Sequence, residues 1–413
     1  MPAREEVTGG VSDFLKLWLA QSLSRIGSEV SRVALPLAAV SLSATPLQMG
    51  LLRAASSAPD FLLGLVVGAW VDHTPKRRLL IATALGRALV LATIPAAAAL
   101  HVLRLDHLIV VALLAGSLAL TADVALRAYL PQLVHPDGII DANSKLTASG
   151  AGASLAGPAA GGALSALLTA PVALGLDSAC LIAAAAGLST IRSDDSSVMA
   201  NRGGRWSLGG LSTSMTEGLR FMVADPRLRA LAAAAGLFNF FDGVIFAVYV
   251  LYATRALGVT QVSLGLIFAA GGAGALTGAV LAGRITRRLG LGPALVSAVL
   301  IAVAGEVVIP FALGPPAVAA VMLAAAEVVV GIGAAVFGIN NVSLRQTVAP
   351  AALQGRVHAA SRMVDSGLYP AGALLGGLVG QLLNMRAALF AGALGTTLAA
   401  VVILVSPVRR YTR

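Results

Sequence analysis

The stretch Gly68-Ala-Trp-Val-Asp72-His73-Thr-Pro75-Lys76-Arg77-Arg78 decides how the rest of the chain is read. It joins two long apolar runs, residues 47–71 and 79–101. Three adjacent bases between such runs mark a turn retained on one side of a membrane. An aspartate placed four residues after a glycine is more than that rule requires, so the loop carries a specific pattern as well as charge.

Apolar runs of about 20 residues, the length that crosses a hydrocarbon layer, recur on both sides of this loop. They fall at about 15–42, 47–71, 79–101, 107–128, 144–169, 171–191, 228–253, 261–283, 291–313, 316–338, 358–383 and 386–406. Of the 413 residues, 57% are hydrophobic and 12% charged, whereas a soluble surface needs roughly 25% charged residues. The mean hydropathy of +0.87 agrees. The runs are continuous and rich in alanine and leucine, which excludes a β-barrel with its alternation over about ten residues. The expected fold is an all-α membrane protein of twelve transmembrane helices in two pseudo-symmetric six-helix bundles.

The net charge of +10 is spread in small groups between the runs, a membrane-orienting pattern and not a nucleic-acid footprint. With the amino terminus inside, the inner side receives Lys76, Arg77 and Arg78, the arginines of the middle connection, Arg284, Arg287, Arg288, Arg345, Arg356 and the C-terminal arginines, while the outer loops hold Arg104, Arg255 and Arg386. Both termini are therefore expected in the cytoplasm, and the first apolar run, which carries Arg25, Glu29 and Arg32, is read as a retained span and not a cleaved signal. The connection 192–227 divides the chain into an N-terminal bundle, 1–191, and a C-terminal bundle, 228–413; its second part, TEGLRFMVADPRLR, reads as an amphipathic helix lying on the membrane or packing on the bundle.

The halves echo each other. Span 8 ends in Gly283-Arg284-Ile-Thr-Arg287-Arg288, as span 2 ends in the quoted loop, and Gly157-Pro158-Ala-Ala-Gly161-Gly162 in span 5 has a counterpart in Tyr369-Pro370-Ala-Gly372-Ala-Leu-Leu-Gly376-Gly377 of span 11. Features recurring six spans apart indicate a duplicated unit.

These residues resemble the major facilitator superfamily. The segment from Gly68 to Arg78 is similar to its loop signature G-x-x-x-D-R-x-G-R-R/K: Gly68, Asp72, Lys76 and Arg77 keep the pattern, and His73 and Pro75 depart from it. The resemblance implies a cytoplasmic gate at Gly68, Asp72, Lys76 and Arg77, with Asp123, Arg127, Arg362 and Asp365 at the inner span ends as partners. Gly157, Pro158, Gly161 and Gly162 resemble the antiporter motif G-P-x-x-G-G, in which proline supplies a bend and small residues a close helix contact. Arg127-Ala-Tyr-Leu-Pro131, Leu353-Gln-Gly-Arg356 and Gln21-Ser-Leu-Ser-Arg-Ile-Gly27 look like the bacterial branch that includes macrolide and enterobactin exporters.

An ionisable group inside a span costs about 2.5–3.5 kcal/mol on insertion scales and asks for a cavity or a partner. In the superfamily, spans 1, 4, 7 and 10 line the central cavity, and here they carry Glu29, Asp123, Asp242 and Glu327. Gln21, Arg25, Glu29 and Arg32 share one face of span 1, an arrangement open to substrate contact, to ion-network gating or to a structural cluster. Asp242 and Glu327 lie near mid-span without a same-helix base and are the leading proton-coupling candidates, with Glu29 the third. Asn239 joins the cavity candidates; Asp177 and Glu306 stand alone on outer helices and read as structural.

None of the five histidines falls mid-span, and the single cysteine, Cys180, permits no internal disulfide. No phosphate loop, metal-ligand spacing or nucleophilic constellation is present, so neither enzyme chemistry, a cofactor nor a bound metal is expected, and the energy source would be an ion or substrate gradient. The expected function is a secondary transporter of a bacterial inner membrane. It would export a small amphipathic, drug-like cation in exchange for protons, with no nucleic acid and no obligate protein partner. The alternatives are a siderophore or lipid exporter, an importer of the same fold, or a transport-inactive sensor or scaffold.

Overall fold

The computed structural model describes residues 2–191, 208–350 and 353–411, and these contain helices and turns but no strand. The first half holds α1 (Pro2–Ser41), α2 (Pro46–Leu62), α3 (Gly64–Asp72), α4 (Lys76–Ala99), α5 (Leu105–Leu133), α6 (Ile139–Leu167) and α7 (Ala170–Ser189). Then follow α8 (Leu208–Ala224), α9 (Pro226–Leu251), α10 (Gln261–Leu289), α11 (Leu291–Val308), α12 (Pro316–Val348), α13 (Gln354–Leu382) and α14 (Met385–Val405). Helices are the outcome that lipid imposes, because each backbone N–H must find its acceptor within the segment. Among the described residues, 8 helices are long and apolar enough to span a membrane, or up to 9 when α2 and α3 count as one span bent by 56°. The longer α1, α6 and α13 carry more charge or small polar residues and complete the expected twelve.

Local sequence sets the helix starts. Thr169 accepts from the Val172 N–H, Thr260 from Ser263 N–H at 3.2 Å, and Asn384 from Ala387 N–H at 2.8 Å, so α7, α10 and α14 each begin at an oxygen-bearing N-cap. Gly290, at φ 83°, separates α10 from α11 in a backbone conformation that favours glycine.

The chain forms two compact units. The described residues within Met1–Ala38 and Leu62–Trp206 make the first, and those within Ala39–Phe61 and Ser207–Arg413 the second. Residues 39–61 therefore pack with the C-terminal helices, whereas the sequence places them in the N-terminal bundle. The connection 192–207 lies outside the described residues.

In the first unit α4 packs on α5 and α7, and α6 on α7, around a core that includes Leu17, Val71, Leu80, Tyr129 and Leu188. In the second, α9 lies against α13 and α14, α10 against α12, and α12 against α11. Lipid supplies no hydrophobic drive between helices, so close backbone approach at small residues must do that work. A Cβ at Gly372 or Gly376 of α13 would overlap the carbonyl oxygens of Phe240 and Val244 on α9, and one at Gly274 of α10 would overlap that of Val328 on α12. The amphipathic segment forms α8 and packs on α13: Met222 and Leu228 are buried with Val357 and Ala360.

Candidate functional site

Three acids of the second unit come together from three helices. Asp242 of α9 is half-buried and lies within electrostatic reach of Glu306 on α11, a fully buried residue. Glu327 of α12, also buried, lies within electrostatic reach of Glu306 and faces the Tyr249 hydroxyl one helical stretch beyond Asp242 on α9. Gly271 of α10 makes room for it, since a Cβ there would stand 3.1 Å from Glu327 Oε2.

Among the described residues, one cation acts on this group. Arg53 of α2 acts on Asp242 through its charge, and its guanidinium carbon lies 5.4 Å from the Phe246 ring centroid. Phe246 stacks on Tyr249 at 5.3 Å, and Tyr249 meets Phe268 at 5.6 Å. The aromatic wall holds the guanidinium by a cation–π contact.

A cavity of about 210 Å³ opens one turn earlier on α9, lined by Ala234, Ala235, Phe238, Asn239, Ala302 and Phe337 among others. Asn239 and Asp242, three apart on one helix, share a face. The Asn239 amide donates to the Ala235 carbonyl at 2.9 Å, which leaves its Oδ1 as the polar acceptor of an otherwise apolar wall.

The structure thus brings Asp242, Glu327 and Asn239 into one region and adds Glu306, which the sequence reading set aside as structural. Glu306 does not stand alone: Asp242 and Glu327 lie within electrostatic reach of it from other helices, and no spacing along one chain segment signals such a grouping. Arg53 is likewise drawn in from a distant helix.

The first unit holds the remaining intramembrane charges. On α1 the Glu29 carboxylate pairs with Arg32 at 3.1 Å, whereas Arg25 lies along Gly150 of α6; Glu29 is thus not bracketed by two guanidiniums. The glycine motif of α6 lies on this same helix. A Cβ at Gly157 would overlap that of Glu29, and one at Gly161 would stand 2.7 Å from the Val30 carbonyl oxygen. Asp177 of α7 is fully buried and accepts from Ser31 Oγ at 2.6 Å, and Arg87 of α4, whose charge acts on it, donates to Ser28 at 3.0 Å. It too has cross-helix partners, contrary to the expectation that it stands alone.

In the loop quoted at the outset, Lys76 is buried and its ammonium donates to the carbonyls of Asp72 and Thr74 at 3.1 and 2.8 Å. Arg77 reaches the Leu188 and Ser189 carbonyls and so caps the C-terminus of α7. Gly68 is half-buried and Asp72 exposed. Asp123 and Arg127 are both exposed, and no ion pair joins them among the described residues, although their spacing permits one. Asp365 is paired at 3.7 Å with Arg345 of α12, not with Arg362 of its own helix, which contributes only through its field. The neighbouring helix presents a nearer base than the helix's own surface does.

Known proteins can be compared with this arrangement. The family described as transmembrane secretion effector matches residues 11–413. Among curated proteins no sequence matches the chain. Solved structures similar to it include a bacterial homologue of the iron transporter ferroportin in an inward-facing state, with a TM-score of 0.76, 17% identity, and coverage of 95% of this chain and 98% of the other. A mutant of the nucleoside transporter NupG gives 0.74 at 13% identity over 97% and 98% of the two chains. A bacterial homologue of the human lysosomal transporter Spinster gives 0.70 at 15% identity over 97% of each. At these identities the likeness concerns the fold. The multi-pass helical architecture and the match over nearly the whole sequence converge: the chain is a membrane transporter of the major facilitator fold and belongs to the transmembrane secretion effector family.

Proposed function

We propose that this transporter exports a small amphipathic organic cation from the bacterial cytoplasm across the inner membrane in exchange for protons, with both termini in the cytoplasm. The observation that carries the reading is the convergence of Asp242, Glu306 and Glu327 within apolar helices. Acids are retained at such cost where they bind a cation or move a proton, and among the described residues one guanidinium, Arg53, acts on this group. The cavity beside Asn239 supports the amphipathic half of the proposal. Its volume of about 210 Å³ is below the roughly 300–1,000 Å³ of pockets that enclose a whole drug-sized ligand. It suits one ring or short chain of the substrate, with the cationic end directed along α9 to Asp242. In this reading Gly157, Pro158, Gly161 and Gly162 set the close packing of α6 on α1, Gln21, Arg25, Glu29 and Arg32 form the polar face of α1, and the loop Gly68–Arg78 with Asp123, Arg127, Arg362 and Asp365 governs the cytoplasmic side.

The kinship with exporters of macrolides and enterobactin suggested by the sequence motifs favours outward movement. An organic cation is favoured over a metal ion because, among the described residues, no group of three His, Cys, Asp or Glu side chains is placed to hold one. The test is uptake and efflux of tetraphenylphosphonium in proteoliposomes. An imposed pH gradient should drive its accumulation on the proton-rich side, and Asp242→Asn should abolish that accumulation. Transport that is indifferent to the pH gradient would sink the antiport reading.

A further inference from the structure

We propose that the corner where α8 meets α9, together with the C-terminal turn Pro407–Arg410, is a binding edge for anionic phospholipid. Leu219 and Val223 enter the acyl layer there, and the surrounding arginines hold the headgroup phosphates. Neither the substrate nor the direction of transport bears on it.

Helix α8 docks by one strip only. Gly218 and Met222, one turn apart, are buried against α13, where a Cβ on the glycine would overlap the Arg356 carbonyl. The next strip round the helix, rotated by about 100°, carries Leu219 and Val223, which stay 42% and 49% exposed. A further step of rotation brings Arg220, also exposed. Two apolar side chains one turn apart with a base beside them match a helix lying in a membrane interface. The depth agrees. Val223 comes shortly before Pro226, where the membrane-length helix Pro226–Ala256 begins, so the strip lies at the level where the hydrocarbon layer starts.

The charge left over at this corner has one sign. The acids of α8 and of the turn after it are both engaged: Asp225 pairs with Arg227 at 2.7 Å, and Glu217 with Arg356. Arg220 and Arg229 are exposed, and no acid pairs with them among the described residues. Arg229 donates to the Val223 carbonyl at 3.1 Å and so closes the end of α8. The C-terminal turn adds Arg409 and Arg410, likewise exposed and in no ion pair of the described residues. That turn is fixed beside the corner. The Arg227 guanidinium carbon lies 5.7 Å from the Tyr411 ring centroid, the Gly292 N–H donates to the Tyr411 carbonyl at 2.8 Å, and Val408 is fully buried. Arginine matches phosphate oxygens through two parallel N–H donors. A soluble acidic partner would meet the arginines and leave Leu219 and Val223 in water. An anionic lipid covers both at once, and its attraction for the arginines holds α8 down on α13.

Nitroxide labels at Leu219→Cys and Val223→Cys, each in a Cys180→Ala background of the full-length transporter, test the placement. In vesicles of phosphatidylcholine with phosphatidylglycerol, we expect both labels to be relaxed by oxygen, which concentrates in lipid, and shielded from a water-soluble nickel chelate. Chelate access at either position overturns the proposal. Shielding from both reagents overturns it too, because protein would then cover the strip, either residues 192–207 or a second copy of the chain. Phosphatidylglycerol titrated into the protein in a neutral detergent tests the charge. Each arginine at a membrane surface contributes about fivefold to affinity. Arg220→Gln and Arg410→Gln should each weaken binding by about that factor, Arg220→Lys should retain most of it, and high salt should remove it. Lipid affinity indifferent to both glutamine substitutions overturns the proposal. Glycerol phosphate, which has no acyl chains, should bind far more weakly; if it binds as well as the lipid, the edge is a site for free phosphate and the lipid assignment fails.

Discussion

Gly157 of α6 lies so close to Glu29 of α1 that a Cβ on the glycine would overlap the Cβ of the glutamate. The intramembrane acid of the first unit is thus positioned by the backbone of the glycine-proline motif. Glu29 can hold its 3.1 Å pair with Arg32 only on the face that α6 leaves open.

Gly157→Ala should therefore separate the two helices or turn Glu29 away from Arg32. Overpacking of this kind costs about 1–3 kcal/mol, and we expect a lower thermal midpoint in detergent together with reduced transport. Gly152→Ala, where added bulk meets nothing, is the control that should leave both unchanged.

Arg255, in the π-helical turn Tyr252–Ala256 that ends the α9 span, donates to the carbonyls of Ala44 and Val40 at 2.8 and 3.3 Å, at the end of α1. A guanidinium at those carbonyls satisfies terminal acceptors and complements the helix dipole. Arg255→Ala should cost about 1–2 kcal/mol of stability, within the range for hydrogen bonds from a charged group. Arg255→Lys should recover part of it, as differential scanning fluorimetry of the purified variants would show.

The Asp225 carboxylate caps α9, accepting from the backbone of Arg227 at 2.8 Å and Leu228 at 3.3 Å and from the Arg227 side chain at 2.7 Å. The Arg227 hydrogen bonds hold its carboxyl below the ordinary carboxylate range against the opposing effect of burial. A depressed folded value means that the cap's contribution is fully present above the unfolded value, about 3.9, and is lost as pH falls through the folded one. Asp225→Ala should cost about 1 kcal/mol at neutral pH. The gap between wild type and variant in thermal midpoint should narrow below about pH 4.

Helix α8 is held to α13 by two unlike contacts. Glu217 pairs with Arg356, and both side chains are about half-exposed, at 50% and 42%. Met222, at 3% exposure, is buried against α13 and accepts from Ser361 Oγ. An exposed pair contributes about 0–1 kcal/mol, while truncating a buried methionine to alanine costs about 2–5 kcal/mol. We expect Met222→Ala to open α8 to limited proteolysis and Glu217→Ala to leave it protected.

The amino-acid sequence by itself determined the membrane, the helices and the family. Composition admits no other solvent than lipid, hydrophobic length sets the spans, and the Gly68–Arg78 loop with the Gly157–Gly162 motif identifies the superfamily. It also marked Asp242 and Glu327, because a charge within an apolar run is visible without coordinates. Only the tertiary structure decided what those acids meet. Arg53 and Glu306, the latter read from sequence as a structural acid, are distant in sequence from Asp242, and only the packing of the helices brings them within electrostatic reach of it. Helical periodicity reports which residues share a face of one helix; the rotation and depth at which two helices pack are fixed by small-residue contacts between them. That physical difference is why Asp365 finds Arg345 on the next helix and not Arg362 on its own, and why Asp177, read as solitary, meets Ser31 and the charge of Arg87 from other helices.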